Sequence, residues 1–374
     1  MNKLIIFVVS VQLNFSFAQV IQNGVSTPKE ELMEVPSVQT ESKKESTADK
    51  QFKTTENNSQ QIESAVSTYS ITRDAAKKSR TQRTPTSYNQ KQMDVSVDIL
   101  EKSAPNSFEY HLFTYLAGNY NVDLIEHLNK AEKLQANSTE VLTQKAAYFI
   151  IKQEGSKALS YLEKLVGAKT ISKDVLNYAE DLLRSVPQNG YLITHGFDDT
   201  YGALYQQLKK KVRADVTIVS LDLLQSDYFR TQLKKKGLKF PERTTIDVDF
   251  LKQFTELNEQ SNLSLATTVP KEYLAQIASK LFVTGLVFTY SASGNFDNYT
   301  KNKELWSNEL KKYGINDVQT DKGKQLSANY LPMLLQLANS GALLKQDVKE
   351  LDKVIDKIAK QSNKTEQVKK LKTY

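Results

Sequence analysis

The stretch Tyr191-Leu192-Ile193-Thr194-His195-Gly196-Phe197-Asp198-Asp199-Thr200 decides the fold. A short apolar run stops at a His-Gly pair, two acids follow, and residues 200–212 carry a helical pattern. A strand that passes through a glycine turn into a helix headed by acids is the opening unit of a parallel α/β sheet, because the acids complement the positive end of the helix dipole. Downstream, Asp215-Val216-Thr217-Ile218-Val219-Ser220 is a β-branched run of the kind that fills a buried strand. Leu263-Ser264-Leu265-Ala266 gives a third strand, residues 269–280 a helix opened by Pro270, and residues 281–290 a final strand. The expected order is β-α-β-α-α-β-α-β, a small, mostly parallel sheet with crossover helices.

Helices flank this unit on both sides. Upstream, Leu124, Ile125, Leu128, Ala131 and Leu134 form one apolar stripe, and Ala158, Leu159, Leu162 and Leu165 another. Val175, Leu176, Ala179, Leu182 and Leu183 form a third. Gly118-Asn119, Asn137-Ser138 and Gly155-Ser156 punctuate these stripes and supply caps for the helices that follow. Residues 93–186 therefore read as helical hairpins. Leu124 and Ala158 lie 34 residues apart, as do Leu128 and Leu162, which is the tetratricopeptide period; an ordinary helical bundle is the competing description. Downstream, residues 297–374 read as helices, ending in a Lys-rich amphipathic one through Val348, Leu351, Val354, Ile355 and Ile358. The fold class is thus α/β, residues 187–296, with all-α, helical-repeat-like flanks.

Composition agrees and removes several chemistries. Among 374 residues there are 13 Gly, 8 Pro and no Cys. Scarce Gly and Pro argue against a turn-rich β sandwich, and the missing Cys excludes disulfides, thiolate metal sites and a cysteine nucleophile. The net charge of +7 comes from interspersed Lys and Glu, which gives no nucleic-acid signal. Residues 1–18 have the charged start, apolar stretch and small-x-small finish of a signal peptide, so export to the periplasm or the cell exterior is expected. Residues 19–92 are rich in Ser, Thr, Gln, Asn, Lys and Glu and read as a disordered linker, with Lys77, Lys78, Arg80 and Arg83 as solvated charge. No later segment is long and apolar enough to span a bilayer.

Ligands of open α/β sheets bind beyond the carboxyl ends of the strands. That places the candidate ligand-binding residues at His195, Gly196, Asp198, Asp199 and Thr200, the one place where His, Gly and paired carboxylates converge. The alternative is that Asp198 or Asp199 only caps the helix and His195 fills a surface turn. Two ligands from one loop do not make a metal site, and His111 and His127 both lie on the helical segment. No catalytic residue, metal or cofactor is assigned. There is no G-x-G-x-x-G after the first strand, no Walker lysine and no G-x-S-x-G elbow.

The blocks at residues 191–200 and 213–224, with Tyr228-Phe229, Thr267-Thr268-Val269-Pro270, residues 281–288 and Asn329-Tyr330, resemble the extracytoplasmic C-terminal region of bacterial membrane proteins related to protein O-mannosyltransferases. Gly196, Asp199 and Thr200 match that family's turn, whereas Phe197 replaces a usual acid and Ser220 a usual Asn. In those transferases the catalytic residues belong to the membrane portion, so the resemblance implies an ectodomain without transferase activity. The expectation is an exported, non-enzymatic binding or scaffold protein acting with envelope glycosylation, secretion or cell-surface machinery. Its partner would be an envelope protein, with a glycan as a second candidate. A metal-dependent or glycan-processing enzyme using the turn from His195 to Asp199 is the rival.

Overall fold

The structure is a computed structural model that describes residues 47–373, with side chains from residue 58. The expected signal peptide, residues 1–18, lies outside the described residues, as do residues 19–46.

The described residues begin with seven α-helices: α1 (Thr47–Lys77), α2 (Ser87–Ser103), α3 (Phe108–Ala117), α4 (Ile125–Leu134), α5 (Thr139–Ile151), α6 (Gly155–Gly167) and α7 (Lys173–Arg184). Consecutive helices pack in pairs, α1 on α2, α3 on α4 and α5 on α6. Side chains of Thr86, Ser107 and Ser172 cap α2, α3 and α7 by accepting the N–H three residues on.

Residues 47–92 correct the expectation of a disordered linker. α1 buries Ala65 and Tyr69, with Ile62 and Val66 packed beside them. Those four positions fall at i, i+3, i+4 and i+7, one helical face. Tyr69 stacks on Phe113 with ring centroids 3.9 Å apart and donates a 3.1 Å hydrogen bond to the Phe113 carbonyl. The loop after α1 is also held: Arg83 N–H donates to the Ile246 carbonyl and Val248 N–H to that of Thr81. The stripe is only two turns long within a polar helix, so average composition concealed it. The basic residues after it are not free linker charge either, since Arg83 pairs with Asp222 at 2.6 Å and Arg80 with Glu272 at 3.0 Å.

The sheet follows: β1 (Tyr191–Thr194), α8 (Phe197–Lys210), β2 (Thr217–Ser220), α9 (Asp227–Lys235), α10 (Val248–Leu257), β3 (Leu263–Ala266), α11 (Lys271–Ala275), β4 (Leu281–Thr284) and β5 (Val287–Tyr290). The strand order is β2-β1-β3-β5-β4. β1 runs parallel to both β2 and β3, with Leu192 opposite Ile218 and Ser264, while β5 is antiparallel to β3 and β4. The fold is α/β with helical flanks. The sheet is mixed rather than mostly parallel, because the expected single final strand folds back at Gly285 (φ 61°) into a hairpin. The expected helix over 269–280 is shorter, α11 followed by a 3₁₀ turn at Ala278–Lys280.

Six further α-helices follow among the described residues: α12 (Asn298–Glu304), α13 (Tyr313–Asn316), α14 (Asp321–Ser327), α15 (Leu331–Ala338), α16 (Lys345–Gln361) and α17 (Thr365–Lys369). One apolar core runs from Leu142 to Leu371 and joins α5–α7, the sheet and these helices; a smaller one, from Ala65 to Val141, serves the first hairpins. Among the described residues no helix is long and apolar enough to cross a membrane.

α7 fastens the C-terminal helices by side chains that accept main-chain N–H groups. Asp174 accepts from Thr320 N–H at 2.8 Å and its hydroxyl at 2.6 Å, and Asp181 from Lys311 and Lys312 N–H at 2.6 and 2.8 Å and from the Tyr330 hydroxyl at 2.7 Å. Asp181→Ala would take the acceptor from those last three donors, of which the Tyr330 hydroxyl is buried and the two N–H groups part-buried. It is expected to cost about 3 kcal/mol in urea denaturation. A loss below about 1 kcal/mol would show that apolar contacts alone hold residues 310–330 in place.

Candidate functional site

The site begins with strand order. From β1 the chain crosses through α8 to β2 on one side, then returns to β3 on the other side of β1. The loops that leave the carboxyl ends of β1 and β3 therefore diverge, and a crevice opens between them. The first loop is His195-Gly196 and the second Thr267-Thr268.

Gly196 lies at φ 95°, ψ −171°, a conformation in which L side chains are strained, and it is the N-cap of α8. The third residue of α8, Asp199, turns its carboxylate back across the crevice. Its Oδ2 accepts the His195 N–H at 2.8 Å and the Thr268 hydroxyl at 2.6 Å, so one carboxyl group ties the two loops together. Asp199 is 1% exposed and its Oδ1 is buried without a hydrogen-bond partner. Burial pushes its pKa up to about 7, against the pull of those two donors. Thr200 is equally buried, its Oγ1 2.8 Å from Thr194 Oγ1 and donating to Ser220 Oγ at 3.3 Å.

His195 has its ring edge-on to Tyr273 and its Nε2 3.4 Å from Arg83 Nη1. Burial, and then the Arg83 charge, bring its pKa down to about 4, so at neutral pH the imidazole is uncharged. Asp198 reaches outward to a 3.1 Å ion pair with Lys322 of α14.

The turn thus separates two clefts. The larger, about 710 Å³, lies at the mouth of the crevice, and amides and hydroxyls are prominent in its walls: Thr267, Thr268, Asn329, Gln361, Ser362 and Asn363. His195, Gly196, Asp198 and Asp199 line it as well. The smaller, about 410 Å³, lies between the N-terminal hairpins and α8 and meets the turn at Gly196 and Phe197. The five expected site residues are therefore together but do two jobs. Asp199 and Thr200 brace the turn from beneath, although Asp199 makes no side-chain cap bond to α8, and His195, Gly196 and Asp198 line the larger cleft.

Among the described residues no group of three His, Cys, Asp or Glu could hold a metal ion. His111 and His127 sit with Nδ1 atoms 3.3 Å apart on α3 and α4, away from the turn, and burial lowers both pKa values. Sequence reasoning missed Thr268, whose role depends on strand order, and the Arg83–Asp222 pair, which joins residues 139 apart.

Asp199 and His195 act in opposite directions on stability. Asp199 has a raised folded pKa, so its contribution is fully present below its unfolded value of 3.8 and is lost as pH rises through about 7. His195 has a lowered one, so its contribution is present above 6.5 and is lost as pH falls through about 4. Asp199→Asn removes only the first. Its melting temperature relative to wild type is expected to rise between pH 5 and pH 8; parallel profiles for the two proteins would show that Asp199 does not titrate in this window.

No curated protein and no solved structure matches the chain. The family model described as TMEM260-associated domain 2, linked to TMEM260, a protein O-mannosyltransferase-like protein, matches residues 175–372. That span takes in most of α7, the whole sheet, the turn with both its loops and the helices that wall the larger cleft. More than half of the chain is matched, and the chain belongs to the TMEM260-associated domain 2 family.

Proposed function

We propose that this chain is an exported, non-enzymatic binding module that works with envelope glycosylation, secretion or cell-surface machinery, and that it holds a glycan in the cleft at the carboxyl ends of β1 and β3. The observation that carries this reading is the wall chemistry of that cleft. Asn329 and Gln361, whose amide nitrogens each donate once inside the fold, keep a second N–H and a carbonyl oxygen at neutral charge, which suits a polyhydroxylated ligand. Three of the four cations that line the cleft are offset locally, Lys322 by Asp198, Lys324 by Asp321 and Arg80 by Glu272, and Lys364 is the fourth. The family's link to a protein O-mannosyltransferase-like protein supports a mannosyl glycan as the first one to try. The paired helices upstream supply surface for a protein partner in the envelope.

A glycan-processing enzyme is the second reading, favoured by Asp199, whose carboxyl at about 7 has the pKa of a general acid. Against it, Asp199 Oδ1 is covered and Oδ2 already serves two donors.

Titration of the protein with a mannosyl oligosaccharide by calorimetry is expected to show binding without product. The double variant Asn329→Ala, Gln361→Ala is expected to weaken it roughly tenfold. Hydrolysis or transfer that disappears in Asp199→Asn would establish the enzyme instead, and neither binding nor turnover with mannosyl or other neutral glycans would defeat both.

A further inference from the structure

The smaller cleft is lined by four cations, Arg73, Lys77, Arg83 and Lys322, and two carboxylates, Glu140 and Asp222. Its N-terminal wall is the end of α1 and the loop after it, and its far wall is α8 with the loop after β2. Arg73, Lys77 and Arg83 reach into it from the first wall. Arg83 is fixed through Nε to Asp222 at 2.6 Å and through Nη1 to the Lys77 carbonyl at 2.9 Å. Among the described residues its Nη2 has no hydrogen-bond partner. Arg73 donates from Nη1 to the Leu116 carbonyl at 3.1 Å and stands 3.8 Å from Glu140, while its Nε is buried and unpartnered.

Two tyrosines face these guanidinium groups across the cleft, Tyr120 and Tyr201. Tyr201 is 5% exposed, and among the described residues neither hydroxyl has a hydrogen-bond partner. Folded proteins leave few buried polar groups unmet, because each costs about 1–3 kcal/mol. One buried donor, Arg73 Nε, and one buried acceptor, Gln225 Oε1, are unmet at this cavity, while Arg83 Nη2 and the two tyrosine hydroxyls open onto it. A cavity with more cations than carboxylates in its walls, and with tyrosine hydroxyls that have no partner among the described residues, is complementary to a small acceptor-rich anion. At about 410 Å³ it has room for a body the size of a monosaccharide phosphate.

We propose that the cleft between the N-terminal hairpins and α8 is a second binding site, for a small oxyanion-bearing ligand of phosphate or carboxylate type on a hydroxylated body. Arg73 and Arg83 bind the anion, and the Tyr120 and Tyr201 hydroxyls donate to its oxygens. Glu140 and Asp222 hold the cations in place and prevent a multiply charged polyanion from being favoured over a small one. The site is separate from the proposed glycan cleft, from which the turn at Gly196-Phe197 divides it.

The test is calorimetric titration of the whole protein with mannose 6-phosphate, glucuronate, inorganic phosphate and, as the neutral control, mannose. At least one of the anionic probes is expected to bind at this cleft, more weakly as salt rises. Tyr201→Phe, which deletes only an unpartnered hydroxyl, is expected to keep the melting temperature and weaken binding several-fold. Arg73→Gln is expected to weaken it by roughly tenfold or more. The Asn329→Ala, Gln361→Ala variant leaves this affinity unchanged, so the two sites stand or fall separately. Phosphate-only binding identifies phosphate as the source of the anion, and glucuronate-only binding identifies carboxylate. Absence of binding by all three anions at millimolar concentration would overturn the proposal, as would binding that Tyr201→Phe leaves intact.

Discussion

Everything downstream of the hairpins hangs from α7, and α7 holds it with two carboxylates. Asp174 and Asp181 lie seven residues apart on one helical face, and they accept main-chain N–H groups from the segments that lead into α14 and α13 respectively. Loop N–H groups buried against a helix have no partner of their own, so the carboxylates supply what a strand pairing would otherwise supply. One residue past the helix, Ser185 continues the pattern: its hydroxyl donates to the Asp181 carbonyl and accepts the Leu286 N–H of the β4–β5 turn at 2.9 Å. The opposing glycines fit this closeness. A Cβ on Gly285 would lie 2.2 Å from Ser185 Oγ, and one on Gly202 about 3 Å from Val175 and Ala179. α8, the β4–β5 hairpin and the C-terminal helices are thus all referred to one rod.

That arrangement determines what the turn after β1 can do. With α14 fixed to α7, Lys322 arrives opposite Asp198, and Asn329 and the end of α16 close the far side of the crevice. The turn itself is stiff, since Asp199 bridges the two loops and Thr200 bridges β1 and β2. The two clefts share Gly196, Phe197 and Lys322 in their walls, so the turn divides them without isolating one from the other. His195, uncharged because it is buried beside Arg83, adds no charge to the larger cleft, while Arg83 directs its own toward the smaller one.

How much of this was legible in the sequence depends on the range of the interaction involved. β1, β2, β3 and the turn at His195–Thr200 could be read directly, because apolar runs, a glycine and an acid-headed helix are local signals. The hairpin of β4 and β5 was not, because residues 281–290 are buried throughout and lack the alternation that would mark a reversal. α1 escaped because Ile62, Ala65, Val66 and Tyr69 are a few apolar residues in a long polar stretch, and their value lies in Phe113 and its neighbours. The split of roles within the turn was equally hidden. Asp198 and Asp199 are adjacent and chemically identical in sequence, yet one meets Lys322 in the open and the other is sealed against Thr268, a difference set by the strand order.

The family match sharpens the relation between the two clefts. It begins at Val175, so the amide-lined crevice is built almost wholly from the matched residues, with Arg80 the contribution from outside. The smaller cleft is composite: Tyr201, Asp222 and Gln225 come from the matched region, and Arg73, Arg83, Tyr120 and Glu140 from the hairpins before it. Its donors converge only because residues 81–84 pair with the segment before α10 and Arg83 closes on Asp222. A domain carrying the matched residues without these hairpins would keep the crevice and lose the arginine wall. The smaller cleft is therefore a property of this combination of parts, and its chemistry follows from the very segment whose composition, averaged over its length, is that of a linker.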